Sequence, residues 1–180
     1  LDDVRRKMIA GNWKMHKTVS EAIELAEDIV METNGTLNEV VVFPPFAALE
    51  SVADAIDGKH VGYGAQDLHW EDAGAYTGAV SGAMIADICA EYVLVGHSER
   101  RALFGDNEAV VAKKMVAAYR NGLKPMLCVG ENLEEREAGK TARKIAMQLR
   151  NALRVITAEQ AESLVVAYEP VWAIGSGKAA

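Results

Sequence analysis

Six short apolar runs rich in β-branched residues recur along the chain, and they constrain its fold more than any other feature. Each run is too short for a helix and almost continuously apolar, which is typical of strands buried on both faces of a parallel sheet. The predicted strands are Lys7–Gly11, Glu39–Phe43, His60–Gly64, Tyr92–Gly96, Leu123–Val129 and Leu164–Tyr168.

Helical patterns with one apolar face separate most of these runs. Helix start signals agree with them: Thr18 and Glu21 have capping-box spacing, and Asn107 precedes an apolar-periodic segment. The predicted helices are Ser20–Thr33, Ala47–Ile56, Gly82–Ala90, Glu108–Asn121 and Thr141–Leu153, with a short helix opened by Thr157. Parallel strands joined by helices form either an open doubly wound sheet or a (β/α)₈ barrel, and the pattern alone does not separate the two.

Composition and charge narrow the class of protein. Half of the 180 residues are apolar and a quarter are charged, as in a globular chain with a sizeable core, and no linker-like segment divides residues 1–180 into domains. The net charge of −7 argues against nucleic acid or an anionic membrane as a partner. No apolar run approaches the roughly 18 residues that span a bilayer.

The cysteines and histidines indicate neither a disulfide framework nor a metal site. Cys89 and Cys128 are far apart and not in C-x-x-C spacing, which favours a reducing cytoplasm. The four histidines lack the spacing of metal ligands, so we predict no metal.

Polar residues interrupt the apolar pattern where the predicted strands end. In a barrel these ends meet at one face, so an acid–base site for a small anionic or carbonyl substrate is predicted there. The residues are Asn12, Lys14, Gln66, Asp67, His97, Ser98, Glu99, Glu131 and Glu169.

Several of these residues also have a structural interpretation. His97 can be a satisfied structural side chain and Lys14 a solvated loop lysine. Glu99 and Glu131 are expected to form ion pairs with Arg100 or Arg101. Glu169 lies between Tyr168 and the segment Pro170-Val171-Trp172, so we expect partial desolvation to raise its pKa toward that of a base useful near neutral pH.

The glycine-rich stretch 174–178 is not a nucleotide-binding P-loop. Trp172 stands where that motif needs its first glycine, and Ala179 stands where it needs Ser or Thr. The glycines can still present backbone N–H groups to a phosphate.

Five segments taken together resemble the motifs of the triosephosphate isomerases, in order and over essentially the whole chain. They are Gly11-Asn12-Trp13-Lys14, Ala75-Tyr76-Thr77-Gly78, Val95-Gly96-His97-Ser98-Glu99-Arg100-Arg101, Cys128-Val129-Gly130-Glu131 and Ala167-Tyr168-Glu169-Pro170-Val171-Trp172-Ala173-Ile174-Gly175. The resemblance implies a (β/α)₈ barrel that interconverts dihydroxyacetone phosphate and D-glyceraldehyde 3-phosphate without a cofactor.

The resemblance also implies a role for each matching residue. Glu169 would be the base that moves the proton, and His97 the neutral imidazole that polarises the carbonyl, as is well known for this family. Lys14 would offset the negative charge of the substrate and Asn12 would position it, while Glu99 would line the site and support proton movement. The stretch Pro170–Lys178 would be a closing lid, in which Gly175 and Ser176 bind the phosphate. Thr77 would lie in a loop that reaches the second subunit of a homodimer.

Two departures from the family pattern affect these expectations. Ala79 stands where the family usually has a Glu that pairs across the dimer with the position of Arg100, which predicts a weaker dimer. A complete barrel of this kind has roughly 250 residues, so we expect two βα units to be missing. A non-catalytic barrel fragment is therefore one alternative to an isomerase. An aldolase-type barrel with Lys14 as a Schiff-base nucleophile is another.

Overall fold

The computed structural model describes residues 6–174, and within them six parallel strands form one sheet. The strands lie in the sheet in their order along the chain. Their bounds are β1 Met8–Asn12, β2 Glu39–Phe43, β3 Val61–Ala65, β4 Tyr92–Val95, β5 Lys124–Val129 and β6 Val165–Tyr168. All six predicted strands are confirmed, each within one residue of its predicted ends.

Helices connect the strands as the apolar periodicity predicted. The three expected helix starts are present, because Thr18 and Thr157 form capping boxes and Asn107 Oδ1 accepts from two backbone N–H groups. One predicted helix, Gly82–Ala90, is shorter than expected and ends before Cys89, which has a positive φ of 58°. The helices are α1 Val19–Glu32, α2 Phe46–Ala55, α3 Gly82–Asp87, α4 Ser98–Leu103, α5 Glu108–Arg120, α6 Leu133–Glu137, α7 Thr141–Leu153 and α8 Ala158–Glu162.

The sheet is curled, and its concave face is packed with side chains. The hydroxyl of Tyr92 on β4 donates to the carboxylate of Glu39 on β2, a contact that passes across β3. The outer face carries Val40 and Val42, which pack against α1 and α2. Side chains of the concave face include Val41, Phe43, Leu94, Met126 and Cys128. A curled sheet whose strand order never reverses is part of a (β/α)₈ barrel and not a doubly wound sheet.

The curled sheet has two free edges within residues 6–174. There, β1 pairs with β2 alone and β6 pairs with β5 alone. Ile9 on β1 is 57% exposed and Val166 on β6 is 45% exposed. Six strands therefore leave the barrel unclosed within these residues, as expected from the length of the sequence.

Candidate active site

The carboxyl ends of β1, β4 and β6 bring the predicted catalytic residues to one face of the barrel. Asn12 is the last residue of β1, while His97 and Glu169 follow β4 and β6. A cavity of about 250 Å³ beside them is lined by Asn12, Lys14, Met15, Phe46, Gln66, Asp67, His97, Glu99, Arg100 and Phe104. Residues far apart in sequence thus share one site because parallel strands end at the same face.

Glu169 and His97 are in direct contact. Oε1 of Glu169 lies 3.0 Å from Nε2 of His97, and Oε2 accepts a hydrogen bond from the backbone N–H of Ser98 at 3.1 Å. The side chains of His97 and Glu169 are 7% and 18% exposed, so water has little access to the pair. Both oxygens of the carboxylate are therefore held by hydrogen-bond donors.

The expected direction of the Glu169 pKa shift is wrong. Burial does raise the pKa of this carboxyl, but hydrogen bonds from His97 and from the N–H of Ser98 outweigh it, and the net pKa lies below the ordinary value. The sequence predicted that the Glu169 carboxyl is desolvated, but it did not predict the two hydrogen-bond donors that bind this carboxyl. Glu169 is consequently a carboxylate at neutral pH.

The tautomer of His97 follows from its other ring nitrogen. Nδ1 accepts a hydrogen bond from the backbone N–H of Glu99 at 3.2 Å, and an amide N–H can only donate. A carboxylate oxygen of Glu99 lies 3.5 Å from the same nitrogen, but this is the longer contact. We therefore assign the proton to Nε2, which makes His97 a neutral N–H donor to Glu169.

Lys14 is held in place by its backbone and by its ammonium group. Its φ is 54°, a left-handed conformation that is uncommon outside glycine, and its N–H donates to Asn12 Oδ1 at 2.9 Å. Gln66 Nε2 donates to the Lys14 carbonyl oxygen at 2.8 Å. Lys14 Nζ lies 2.7 Å from Glu99 Oε1. Lys14 is therefore fixed beside the site and is not a free loop lysine.

The expected ion pairs of Glu99 and Glu131 with Arg100 or Arg101 are wrong in their partners. Glu99 pairs with Lys14, and Glu131 lies 3.5 Å from Arg136. Arg100 contacts Asp67 and Asp106 instead, and Arg101 pairs with Glu108 at 2.7 Å.

Glu131 organises the segment that follows Glu169. Its side chain is fully buried and accepts hydrogen bonds from Tyr168 Oη at 3.0 Å and from Trp172 Nε1 at 3.0 Å. Arg136 lies 4.5 Å above the Trp172 ring. Burial raises the pKa of Glu131, but hydrogen bonds from Trp172, Tyr168 and other donors lower it by more than burial raises it. The net pKa of Glu131 is therefore below its usual value. The first part of the expected lid, up to Ile174, is thus bound to a buried carboxylate.

Sequence reasoning named Gln66, Ser98 and Trp172 without finding what they do. Gln66 supports the backbone of Lys14, the N–H of Ser98 donates to Glu169, and Trp172 donates to Glu131. A polar residue directly after an apolar strand was the available signal for Gln66 and Ser98. The Trp172 contact joins residues 41 positions apart and has no local signal.

Two predicted phosphate ligands, Gly175 and Ser176, lie outside the described residues. Among residues 6–174, no group of three or more His, Cys, Asp or Glu side chains has an arrangement that could hold a metal ion. The helices within the same range are all too short or too polar to cross a membrane.

Comparison with known proteins identifies the relatives of this chain. The sequence model of the family described as triosephosphate isomerase matches residues 7–180. The triosephosphate isomerase of Moorella thermoacetica is 53% identical over 177 residues, which are 98% of this chain and 71% of the relative. That of Caldanaerobacter subterraneus is 49% identical over 175 residues, 97% and 71% of the two chains. The crystal structure of triosephosphate isomerase from Bartonella henselae matches with a TM-score of 0.84 and 36% identity, over 93% of this chain and 69% of the other.

Proposed function

The chain belongs to the triosephosphate isomerase family, and we propose that Glu169 is the base that moves the proton in its reaction. The reaction interconverts dihydroxyacetone phosphate and D-glyceraldehyde 3-phosphate. One proton leaves a carbon next to a carbonyl and returns to the neighbouring carbon through an enediol(ate). The contact of Glu169 with His97, at 3.0 Å, is the observation that carries the proposal.

The two side chains have complementary protonation states. Glu169 is ionised at neutral pH because its pKa is lowered, so it can accept the proton from carbon. His97 carries a proton on Nε2 and can donate it in a hydrogen bond to the substrate oxygen as negative charge develops there. When substrate binds, its oxygen replaces Glu169 as the acceptor of this bond, and the carboxylate is released to act on carbon.

The remaining site residues neutralise the charge of the substrate and hold it in position. The Lys14 ammonium offsets the negative charge of the phosphate and the enediolate, and Asn12 positions the substrate beside it. Glu99, bonded to Lys14 Nζ, lines the site and supports proton movement. Gly175 and Ser176 bind the phosphate through the lid, which excludes water when it closes.

The proposed chemistry needs no cofactor, since a base and hydrogen-bond donors suffice for proton transfer next to a carbonyl. We further propose that residues 1–180 act as one domain in the cytoplasm, because Cys89 and Cys128 are free thiols, as expected in a reducing compartment.

We also propose that the protein is a homodimer. Met15 is 93% exposed and Phe104 is 64% exposed, and both line the cavity beside the catalytic residues. Water-exposed apolar side chains around a cavity are typical of a surface that is covered in the assembled protein. The loop that contains Thr77 from a second copy is the proposed occupant.

A coupled assay of triose phosphate isomerisation tests the proposed function. It is run on the 180-residue chain and on an extended chain, in which the residues of the Moorella thermoacetica relative that lie beyond the match are added. Glu169→Gln should lower kcat by roughly 10²–10⁴-fold in the chain that turns over, because the amide cannot accept a proton. Glu162→Gln in α8 is the matched control and should change nothing.

The assay also separates the alternatives. Turnover by the extended chain alone would show that the 180-residue chain is a non-catalytic fragment. Full activity of Glu169→Gln would exclude Glu169 as the base. A Schiff-base aldolase is disfavoured by the ion pair of Lys14 with Glu99, and we expect borohydride to trap no substrate adduct on Lys14.

A further inference from the structure

Gln148 is a polar side chain buried on the core side of α7. The Gln148 side chain is 2% exposed. Its neighbours on the same side of the helix, Ile145, Leu149 and Ala152, are apolar and pack in the core. A buried amide is costly unless it is hydrogen-bonded, so a glutamine at this position needs a specific partner.

That partner is the backbone N–H of Gly130, which donates to Gln148 Oε1 at 2.9 Å. The carbonyl groups on either side of Gly130, those of Val129 and Glu131, accept from the N–H groups of Glu169 and Val171 at 2.7 and 3.1 Å. Because peptide groups alternate along a strand, the Gly130 N–H is directed away from β6 and toward β4.

The sheet provides no acceptor for Gly130 on the β4 side. Strand β4 ends at Val95, and the chain turns away at Gly96, which has a φ of 72°. Gln148 therefore supplies from helix α7 the acceptor that β4 would supply if it continued.

Gly130 is also in close contact with the main chain of the proposed base. A Cβ atom at Gly130 would overlap the carbonyl oxygen of Glu169. A cavity of about 290 Å³ is lined by Gly130, Gln148, Glu169, Ser98 and Val171 among others. Gly130 and Glu169 therefore line the same cavity, and their main chains are in direct contact beside it.

We propose that Gln148 is a positioning residue for Glu169 and acts through the Gly130 peptide. Its amide fixes the end of β5, and the end of β5 fixes the backbone from which the Glu169 carboxylate reaches His97 and Ser98. The inference rests on the assignment of Glu169 as the base, but its structural part can be measured without turnover.

The test compares Gln148→Met, which keeps the volume and removes the amide, with Gln148→Glu, which keeps a side-chain oxygen acceptor. NMR on the 180-residue chain follows the Gly130 amide exchange rate and the carboxyl titration of Glu169. Gln148→Met should speed Gly130 exchange at least about tenfold, as expected for the loss of one hydrogen bond of ~1.4 kcal/mol. It should also move the Glu169 titration toward its ordinary range, and Gln148→Glu should restore the slow exchange of the Gly130 amide.

Met147→Leu, on the 40% exposed neighbouring position, is the control and should leave both signals unchanged. If Gly130 exchange accelerates while the Glu169 titration stays fixed, Gln148 only stabilises the fold and the proposal is overturned. If Gln148→Met does not fold, Gln148→Asn replaces it in the test, since it retains the amide but shortens its reach. The question is again whether the Glu169 titration moves when Gly130 exchange accelerates.

The kinetic constants give a second readout in the chain that turns over. Displacing a catalytic group by about 1 Å can cost up to ~10²-fold in rate, so Gln148→Met should lower kcat more than it changes KM. A fall in activity that only parallels a loss of folded protein would contradict positioning. Failure of the function itself appears separately, as turnover that survives Glu169→Gln.

Discussion

The indole Nε1 of Trp172 donates a hydrogen bond to Oε1 of Glu131 at 3.0 Å, so the segment after Glu169 is bound to a fully buried carboxylate. The Trp172 ring also lies under the guanidinium of Arg136, and Tyr168 Oη shares the same carboxylate. The beginning of the proposed lid thus contacts the end of β5, the same strand end at which the Gly130 N–H donates to Gln148.

Replacing Trp172 with Phe should destabilise the protein by about 1.5 kcal/mol, the lower end for a hydrogen bond to a charged group. The ring under Arg136 is retained, and the N–H that Glu131 accepts is lost. Urea unfolding measures the difference. Trp70→Phe is the matched control, because the Trp70 ring lies 5.0 Å from the Lys113 ammonium and should keep that contact. Equal stability of both variants would show that the hydrogen bond contributes nothing.

The contact of His97 with Glu169 should be visible in the titration of the base. Burial raises the pKa of Glu169, and the donors His97 and Ser98 lower it below 4.5, the ordinary value. In His97→Leu one donor is lost while burial remains, so the NMR titration of the Glu169 carboxyl should move upward. His60→Leu, which removes a histidine that contacts Thr33 instead, should leave the titration in place.

The same lowered pKa predicts how stability depends on pH. A carboxyl with a lower pKa in the folded state stabilises the fold above its unfolded pKa, and this stabilisation is lost as pH falls through the folded value. Unfolding free energies of the wild type and of Glu169→Gln should therefore converge as the pH falls below 4.5, the ordinary pKa of a glutamate. A difference between the two that does not depend on pH would contradict this.

The proposed homodimer predicts an effect of charge at Met15. Met15→Lys should dissociate the dimer in analytical ultracentrifugation, while the stability of the monomer hardly changes because the residue is 93% exposed. Leu37→Lys is the matched control, since Leu37 is 89% exposed in the loop between α1 and β2. If both variants sediment like the wild type, the surface around Met15 is not the dimer interface.

Ala79 provides an independent test of the same interface. Ala79→Glu should tighten the dimer severalfold by adding the carboxylate that the family places opposite the position of Arg100. Arg100 already lies 2.9 Å from Asp67 and 3.3 Å from Asp106 within its own chain, so the gain should stay within about 1 kcal/mol. If the wild type forms a tight dimer that Ala79→Glu does not strengthen, the expectation that Ala79 weakens the dimer is wrong.

The strands and the longer helices were predictable because their sequence patterns are local. Continuous apolar runs mark β2 (Val40 to Phe43) and β5 (Met126 to Val129), and apolar periodicity marks α1 and α5. The short helices α4 and α6 were not predicted, because they are rich in charge and bury no residue. They begin at the caps His97 and Asn132, and the capping-box spacing of Asn132 and Glu135 is a local signal that apolar periodicity does not detect.

The sequence predicted which residues lie in the candidate site, but not which of them contact one another. Strand ends and family motifs identified Asn12, Lys14, His97 and Glu169. The partner of Glu99 and the direction of the Glu169 pKa shift depended on angles and distances set by the whole barrel, and both expectations were wrong. Gln148 was not identified, since its only sequence signal is a polar residue on the apolar face of a helix.

Lys114 is a buried cation between two carboxylates, and its removal should be costly. It is 3% exposed, and its Nζ lies 2.6 Å from Asp67 Oδ1 and 2.7 Å from Asp106 Oδ2. Lys114→Met leaves two buried carboxylates to share Arg100, so we expect a loss of about 3–5 kcal/mol in urea unfolding at neutral pH. Lys113→Met is the control, because Lys113 makes a cation–π contact with Trp70, worth about 1 kcal/mol at most, and no ion pair with another residue of 6–174.

The loss in Lys114→Met should shrink as the pH is lowered. Burial raises the pKa of Asp67 above its ordinary value even though Lys114 lowers it, so without Lys114 the pKa should rise further. An acid whose pKa is raised in the folded state binds its proton more tightly there, and stability falls as pH rises from the unfolded pKa through the folded one. Protonation of Asp67 in Lys114→Met therefore removes one of the two negative charges that share Arg100, and unfolding at pH 5 should show a smaller deficit than at pH 7. If the loss of unfolding free energy is equal at both pH values, it is caused by lost packing and not by the carboxylates that have lost the lysine.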